Sequence, residues 1–411
     1  MKDAPDLLHE DDVRALLHGV PAPQAGVDLE AAMRAGRRMS LRRGAAGVAG
    51  GTAAVVLAAA LAVVVSRADA AQKPATAPAA VPSRSAASTP ASSPAVSSVT
   101  DIKLRCPMTP LNKPAGAGGL QVDAVDPSGR YVSGHAVDDR ANFTSVLWVD
   151  GAPQYLRFAA SVQIKSINSH GVAAGEGGDA DPNSAEWYFR YAGGEVTRLQ
   201  VPAGWRQFGN VTINEHGDIA DTIKPEDDRP EGAVKGVVWK AGSTTPILVP
   251  LPSRGTVIAI TADTRLLGYI GDGAMQDVYL WDLAGTATKL PHPAGSAVAP
   301  AAAAGSYASG WIPGLIPRWD ITTNQLTTIP AVPDGDNRML GMHVSATGWI
   351  TDGVQVAYRP DGTAVRLSAP GTSEVGSAGV TDNGDVFGTY YDRSRKHESY
   401  TAAVWHCGSA A

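Results

Sequence analysis

The chain has 411 residues, enough for two or more domains or for one large β domain with appendages. Charged residues make up 18%, below the usual quarter, and 45 glycines with 29 prolines favour a turn-rich β protein over a helical one. A net charge of −6 offers no basic stripe for nucleic acid, and two cysteines are too few for a disulfide scaffold or a four-cysteine zinc site.

Residues 1–43 form a tail with one apolar cluster, DLLHEDDVRALLHGV. Leu7, Leu8, Val13, Leu16 and Leu17 make no clean stripe, and Pro21 and Pro23 stop the segment. Two readings stand: a juxtamembrane helix too short to be stable alone, or a docking helix of the kind found in transmembrane anti-sigma proteins. The His/Cys zinc motif of such domains is missing.

From Gly44 to Ser66 runs GAAGVAGGTAAVVLAAALAVVVS, 23 residues without a charge. At about 1.5 Å per residue this spans roughly 30 Å, the hydrocarbon thickness of a bilayer. A soluble helix is rarely apolar on every face for so long. Arg34, Arg37, Arg38, Arg42 and Arg43 precede the run, whereas only Arg67 and Lys73 follow it, with Asp69 between them. The expectation is a signal anchor through the bilayer at 44–66, N-terminus cytoplasmic and C-terminal part extracytoplasmic. A cleaved signal is the rival, since Ala68-Asp69-Ala70 has signal-peptidase form and Arg37-Arg38 loosely resembles a twin-arginine signal.

Residues 67–100 consist mainly of Ala, Pro, Ser and Thr. They hold too little large apolar surface to offset the entropy of ordering, so the segment reads as a disordered stalk kept extended by its prolines.

The remainder, 101–411, repeats itself. The phrases AVDPSGRYVSG, SINSHGVAAGE, TINEHGDIADT, HVSATGWITDG and GVTDNGDVFGTYY share an aliphatic, a small polar residue, two variable residues and a glycine. Asn, Asp or Ser at the first position of a type I turn caps the backbone, and glycine at the fourth takes the positive φ that lets the next strand pair. The turn positions are Gly129, Gly171, Gly217, Thr264, Gly305, Gly348 and Gly384, spaced 36 to 47 residues apart. A period of about 40–45 is one four-stranded propeller blade. A second phrase places a large aromatic on the third strand of each unit: Trp148, Phe189, Trp239, Trp281, Trp319, Tyr358 and finally Trp405. Such rings fill the gap of about 10 Å between packed sheets.

The expected fold is therefore all-β, a seven-bladed propeller, with six to eight blades admissible on the count. The last unit stops at Ala403-Val404-Trp405-His406-Cys407 without a fourth strand, while IKLRCPMTPL before the first unit looks like a fourth strand without a unit. Ring closure by the N-terminal segment follows, and it sets Cys106 beside Cys407 as a disulfide clasp on adjacent antiparallel strands. The alternative is two unrelated free thiols.

The pattern is similar to HAF-type extracellular repeats of bacterial proteins, whose units read roughly A-I-N-x-x-G-x-V-V-G followed by an aliphatic-Trp strand. The resemblance covers residues 120–407 and implies a propeller at the cell surface, with no assigned chemistry. The His-Ala-Phe triplet before Leu-Trp is replaced here, as by Thr144-Ser145-Val146.

Linear catalytic motifs are absent: there is no Gly-x-Ser-x-Gly elbow and no His-Glu-x-x-His. His170 and His216 share one turn position and read as solvated turn residues. Asp179-Ala180-Asp181, Glu226-Asp227-Asp228 and Asp334-Gly335-Asp336-Asn337 read as solvated acidic loops, none completing a calcium loop. The expectation is no catalytic residue, cofactor or metal. Two functional classes follow: a binding or scaffolding module for a protein, peptide or envelope glycan, or an enzyme or sensor with its site in the central channel. Acidic or histidine side chains converging there with perturbed pKa values would favour the second.

Overall fold

The computed structural model describes residues 102–137, 143–156, 158, 161–178, 186–227, 234–271, 276–296, 298–332, 341–371, 374–391 and 400–409. The tail at 1–43, the apolar run at 44–66, the linker at 67–100 and the acidic loops at 179–181 and 334–337 lie outside the described residues, as does Asp228. Among the described residues no helix is long and apolar enough to cross a membrane.

The strands assemble into seven sheets, each built around consecutive antiparallel strands of one repeat. The first blade shows the plan: Gly119–Val125, Tyr131–Val137, Phe143–Val149 and Ala152–Tyr155 pair in sequence from the inside outwards. The repeated turn joins the first strand to the second. Gly129, Gly171, Gly217, Gly305, Gly348 and Gly384 all have positive φ, between 54° and 90°, as the turn type requires. The capping residues act as expected: Asn168 Oδ1 accepts from the amides of His170 and Val172 (3.1 and 3.0 Å), and Asn214 Oδ1 from those of His216 and Asp218 (3.1 and 3.0 Å).

Thr264 stands where the other turns carry glycine and holds φ at 65°. A β-branched residue is strained there, and its hydroxyl supplies a reason for it by donating to Asp218 Oδ2 of the preceding blade at 2.8 Å. Relief of strain and loss of this bond are each worth about 1 kcal/mol. Thr264→Gly is thus expected to leave the urea midpoint nearly unchanged. Thr264→Val keeps the strain without the bond and lowers stability by about 1–2 kcal/mol; equal effects of the two variants would contradict this account.

Seven apolar clusters occupy the seams between neighbouring blades, and each holds at least one third-strand aromatic. Trp148, Phe189, Trp239, Trp281, Trp319, Tyr358 and Trp405 are all fully buried. Four of the indoles also reach back to the preceding blade: Trp148 Nε1 donates to Asn112 O (2.7 Å), Trp239 to Gln200 O (2.9 Å), Trp319 to Pro291 O (2.6 Å) and Trp405 to Ser368 O (2.8 Å).

The ring closes as its sequence demands, with one addition. Met108–Pro110 pairs antiparallel with Tyr400–His406 as the outer strand of the seventh blade. The chain breaks at Pro107, which has no N–H for a ladder. Just before it, Arg105–Cys106 lies parallel to Ala364–Leu367 on the outside of the sixth blade. The expected single closing strand is therefore two short ones serving two blades. The Cys106–Cys407 disulfide joins Cα atoms 4.6 Å apart, one step beyond the His406 N–Pro107 O bond of 2.9 Å. That separation is the one for a directly opposed pair without its own hydrogen bonds.

Candidate functional site

The first strand of every blade is the free end of its sheet, so seven such strands form the wall of a central channel. In five blades this strand carries a bulge at the same place, and the extra residues are Asp123, Lys165, Ile258, Ala301 and Ala378. A glycine of the second strand pairs with the residue before each bulge: Gly134, Gly175, Gly268, Gly310 and Gly388. A Cβ at any of these would fall 1.9 to 2.3 Å from a carbonyl oxygen of the inner strand. The last glycine of the repeated phrase thus exists to admit the bulge.

Blades three and six put aspartate at that position, Asp221 and Asp352, and both are irregular. Asp352 Oδ1 accepts from the amides of Val354 and Val356 (2.9 and 3.0 Å), a tight turn that shortens the middle strands to Ile350–Thr351 and Val356–Tyr358. Around Asp221 the inner strand divides into Trp205–Gln207 and Thr212–Ile213, and the intervening segment arches over the carboxyl group. Gly209 packs directly on Asp221 Oδ1. Asp221 is fully buried, its Oδ1 accepts from Thr222 N at 2.6 Å, and its carboxyl group stands beside the Tyr188 phenol.

Chemical groups gather on blades one to three. His135 Nδ1 lies 2.9 Å from Asp123 Oδ2, Gln163 Nε2 donates to Asp123 Oδ1 at 3.1 Å, and Lys165 Nζ donates to Gln163 Oε1 at 2.9 Å. Lys165 Nζ is also 3.7 Å from Glu176 Oε2. Burial, opposed by the Lys165 charge, holds the Glu176 carboxyl above its usual range. Burial also pushes Asp221 well up, and burial with the nearby Asp221 carboxyl pushes up the Tyr188 phenol. Across the channel the wall is apolar, with Ile258, Ala301 and Ala378 at the bulge positions.

From the bulges to the turn face the channel opens into a cavity of about 690 Å³. Its polar flank includes Lys165, Ser166, Asn210 and Thr212, and its apolar flank includes Ile258, Ile260 and Ala301 to Ala304. The mouth is a collar of turns tied to one another. Asn168 Nδ2 donates to Asn214 O (3.1 Å) and Asn214 Nδ2 to Thr261 O (3.0 Å); Ser169 Oγ bonds Glu215, Ala346 N donates to Asp382 Oδ1 (2.8 Å), and Asp382 N to Pro127 O (2.8 Å). His170 and His216 are exposed turn residues, and Glu226 and Asp227 are exposed as well. Among the described residues no group of three or more His, Cys, Asp or Glu is placed to hold a metal ion.

His343 lines the cavity from the sixth blade, half-buried there, and desolvation of its ring lowers its pKa to about 4. Between that value and the ordinary one near 6.5 the unfolded chain binds a proton that the folded chain refuses, so stability falls as the pH drops through this window. His343→Gln is expected to flatten the pH dependence of the urea midpoint between about pH 6.5 and 4; an unaltered slope would show that the ring is not held neutral.

Neither a protein-family model nor a curated protein matches the chain. Among solved structures it is similar to virginiamycin B lyase from Staphylococcus aureus, at 14% identity and a TM-score of 0.46, over 73% of this chain and 99% of that one. The β-propeller domain of the Trilobed protease from Pyrococcus furiosus gives 13% and 0.46, over 70% and 95%. TolB from Acinetobacter baumannii gives 13% and 0.36, over 53% and 56%. Likeness at this level carries no functional argument; the seven-bladed fold rests on the strand pairing itself.

The bulge residues Asp123 and Lys165, with His135, Glu176, Asp221 and His343, form no linear motif because they lie on separate strands of four blades. One signal was available: Asp221 and Asp352 stand four residues after the turn glycines Gly217 and Gly348, where other units carry glycine at the end of the phrase.

Proposed function

We propose that the chain is a binding or scaffolding module, a propeller held outside the membrane by residues 44–66, whose channel engages a protein or envelope ligand. The observation that carries this reading is the cavity of about 690 Å³, with one polar and one apolar flank, set in a frame closed by a disulfide. A concave site that is rigid before binding loses little entropy when occupied. The repeated residues build turns, bulges and seams, while the residues that differ from blade to blade meet in the lumen. The arginines ahead of the apolar run and the resemblance to HAF-type surface repeats support the extracytoplasmic placement, and the bilayer is then a partner through 44–66.

The test is capture from a solubilised cell-envelope fraction by the full chain in detergent. Asn210, exposed on the cavity wall, is replaced by Trp to fill the lumen. The expected result is a ligand retained by the parent chain and lost by Asn210→Trp at unchanged melting temperature. Retention by both would remove the channel from the reading. Protease added to intact spheroplasts should digest the propeller and spare an N-terminal tag.

A second reading, an enzyme or sensor acting through the channel, is favoured by the raised Glu176 and Asp221 carboxyls beside Tyr188 and by the paired His135 and Asp123. Under it, a small molecule in the same extract is consumed by the parent chain and left intact by Glu176→Gln.

A further inference from the structure

The alanine flank of the cavity is a strand edge. Ala303 packs towards the fourth blade, while Ala301, Ala302 and Ala304 pack towards the sixth. With the methyl groups turned to both neighbours, the lumen meets the backbone edge of Ala299–Ala304 between them. Free strand edges are templates for another strand and are normally blocked. Here the blocking is uneven. Thr389 Oγ1 takes the amide of Val122 (3.0 Å), Ser166 Oγ that of Ile213 (3.2 Å), Thr222 Oγ1 that of Val257 (2.7 Å) and Gly353 O that of Ser377 (3.1 Å). On the fifth blade the position of Val122 and Val257 is Pro300, which has no N–H and with the Ala301 bulge blunts that end of the edge, while among the described residues no side chain of a neighbouring blade bonds the stretch from Ala302 to Ala304.

Charge adds a direction. The charged groups lining the cavity are Glu215 and Asp382 in the turn collar and Lys165 at the bulge level, where Glu176 accompanies it. The mouth is therefore acidic.

We propose that the lumen takes an extended peptide segment of a partner protein, which pairs by its main chain with the edge of Ala299–Ala304 and sets a basic group at the Glu215–Asp382 mouth. This deepens the binding reading and rests on it. An added strand lies about 4.7–4.9 Å from the edge, so main-chain bonds supply affinity and the alternating side chains supply selectivity. Those side chains pass Ile258 and Ile260 on one side and His343 and Val344 on the other, all lining the cavity. Small residues fit there, with lysine, arginine or a free amino terminus at the collar.

The test uses the full chain in detergent and a bead library of random nonapeptides. The expected result is enrichment of peptides alternating in Ala, Gly, Ser or Thr with a basic residue at one end. A selected peptide methylated on alternate amides should bind at least tenfold more weakly, Asn210→Trp should abolish binding, and Glu215→Gln should weaken it severalfold at low salt but not at high salt. No enrichment over bare beads, undiminished binding of the methylated peptide, or binding retained by Asn210→Trp would each overturn the proposal. An envelope glycan captured by the parent chain and lost in Asn210→Trp, with no peptide selected, overturns the peptide and leaves the binding reading standing.

Discussion

Cys106→Ser and Cys407→Ser are expected to lower the melting temperature by the same amount, and the double variant to be no worse than either. The link closes a loop of 301 residues, which in the chain-entropy description stabilises by about 5–6 kcal/mol. For a chain of this size that corresponds to a shift on the order of 10 °C. The seam is where the loss is felt. The closing strand pairs only Met108, Thr109 and Pro110 with Trp405, Val404 and Ala403. Beyond those pairs stand two flanking bonds, Leu111 N to Ala402 O and His406 N to Pro107 O, both 2.9 Å. Joined as a disulfide, neither sulfur is a thiolate, so neither reacts with an alkylating reagent in the folded protein or after unfolding without reductant. Additive losses, or two alkylatable thiols in the native protein, would show that the ring closes without the clasp.

Trp405→Ala should cost about 3–5 kcal/mol, the loss of a fully buried indole from the seam between blades six and seven. A Trp→Phe series separates packing from hydrogen bonding. In Trp148, Trp239, Trp319 and Trp405 the change removes the donor of a half-buried hydrogen bond, at about 0.5–1.5 kcal/mol beyond the lost volume. Among the described residues Trp281 Nε1 has no acceptor, so Trp281→Phe loses volume alone. Urea midpoints should therefore rank Trp281→Phe as the mildest of the five. An equal cost throughout would mean that the indole bonds add nothing. Trp148 bonds Asn112 in the closing segment, so Trp148→Phe should also weaken the seam that the disulfide holds.

Both expectations begin in residues legible from the chain. The spacing of Asn168, Asn214, Asp126 and Ser345 from their glycines marks a turn whose chemistry is local, and a local requirement survives in one dimension. The third-strand aromatics recur because every seam has the same width. The unmatched last unit and the stray strand before the first left one economical closure, with Cys106 and Cys407 at its ends.

The site was not legible in the same way. Asp123 reaches Gln163, and Lys165 reaches Glu176, only because the blades set them on one wall; these groups lie on separate strands or blades and form no linear signature. The segment around Cys106 reads as one strand, and pairing alone divides it at Pro107 between two blades. Sequence by itself determined the repeat, the turn, the seam aromatics and the closure, since each answers to spacing along the chain. The bulges, the arch over Asp221 and the open edge of Ala299–Ala304 were decided by tertiary structure, because a bulge exists only against a partner strand and an edge is free only when no neighbour covers it.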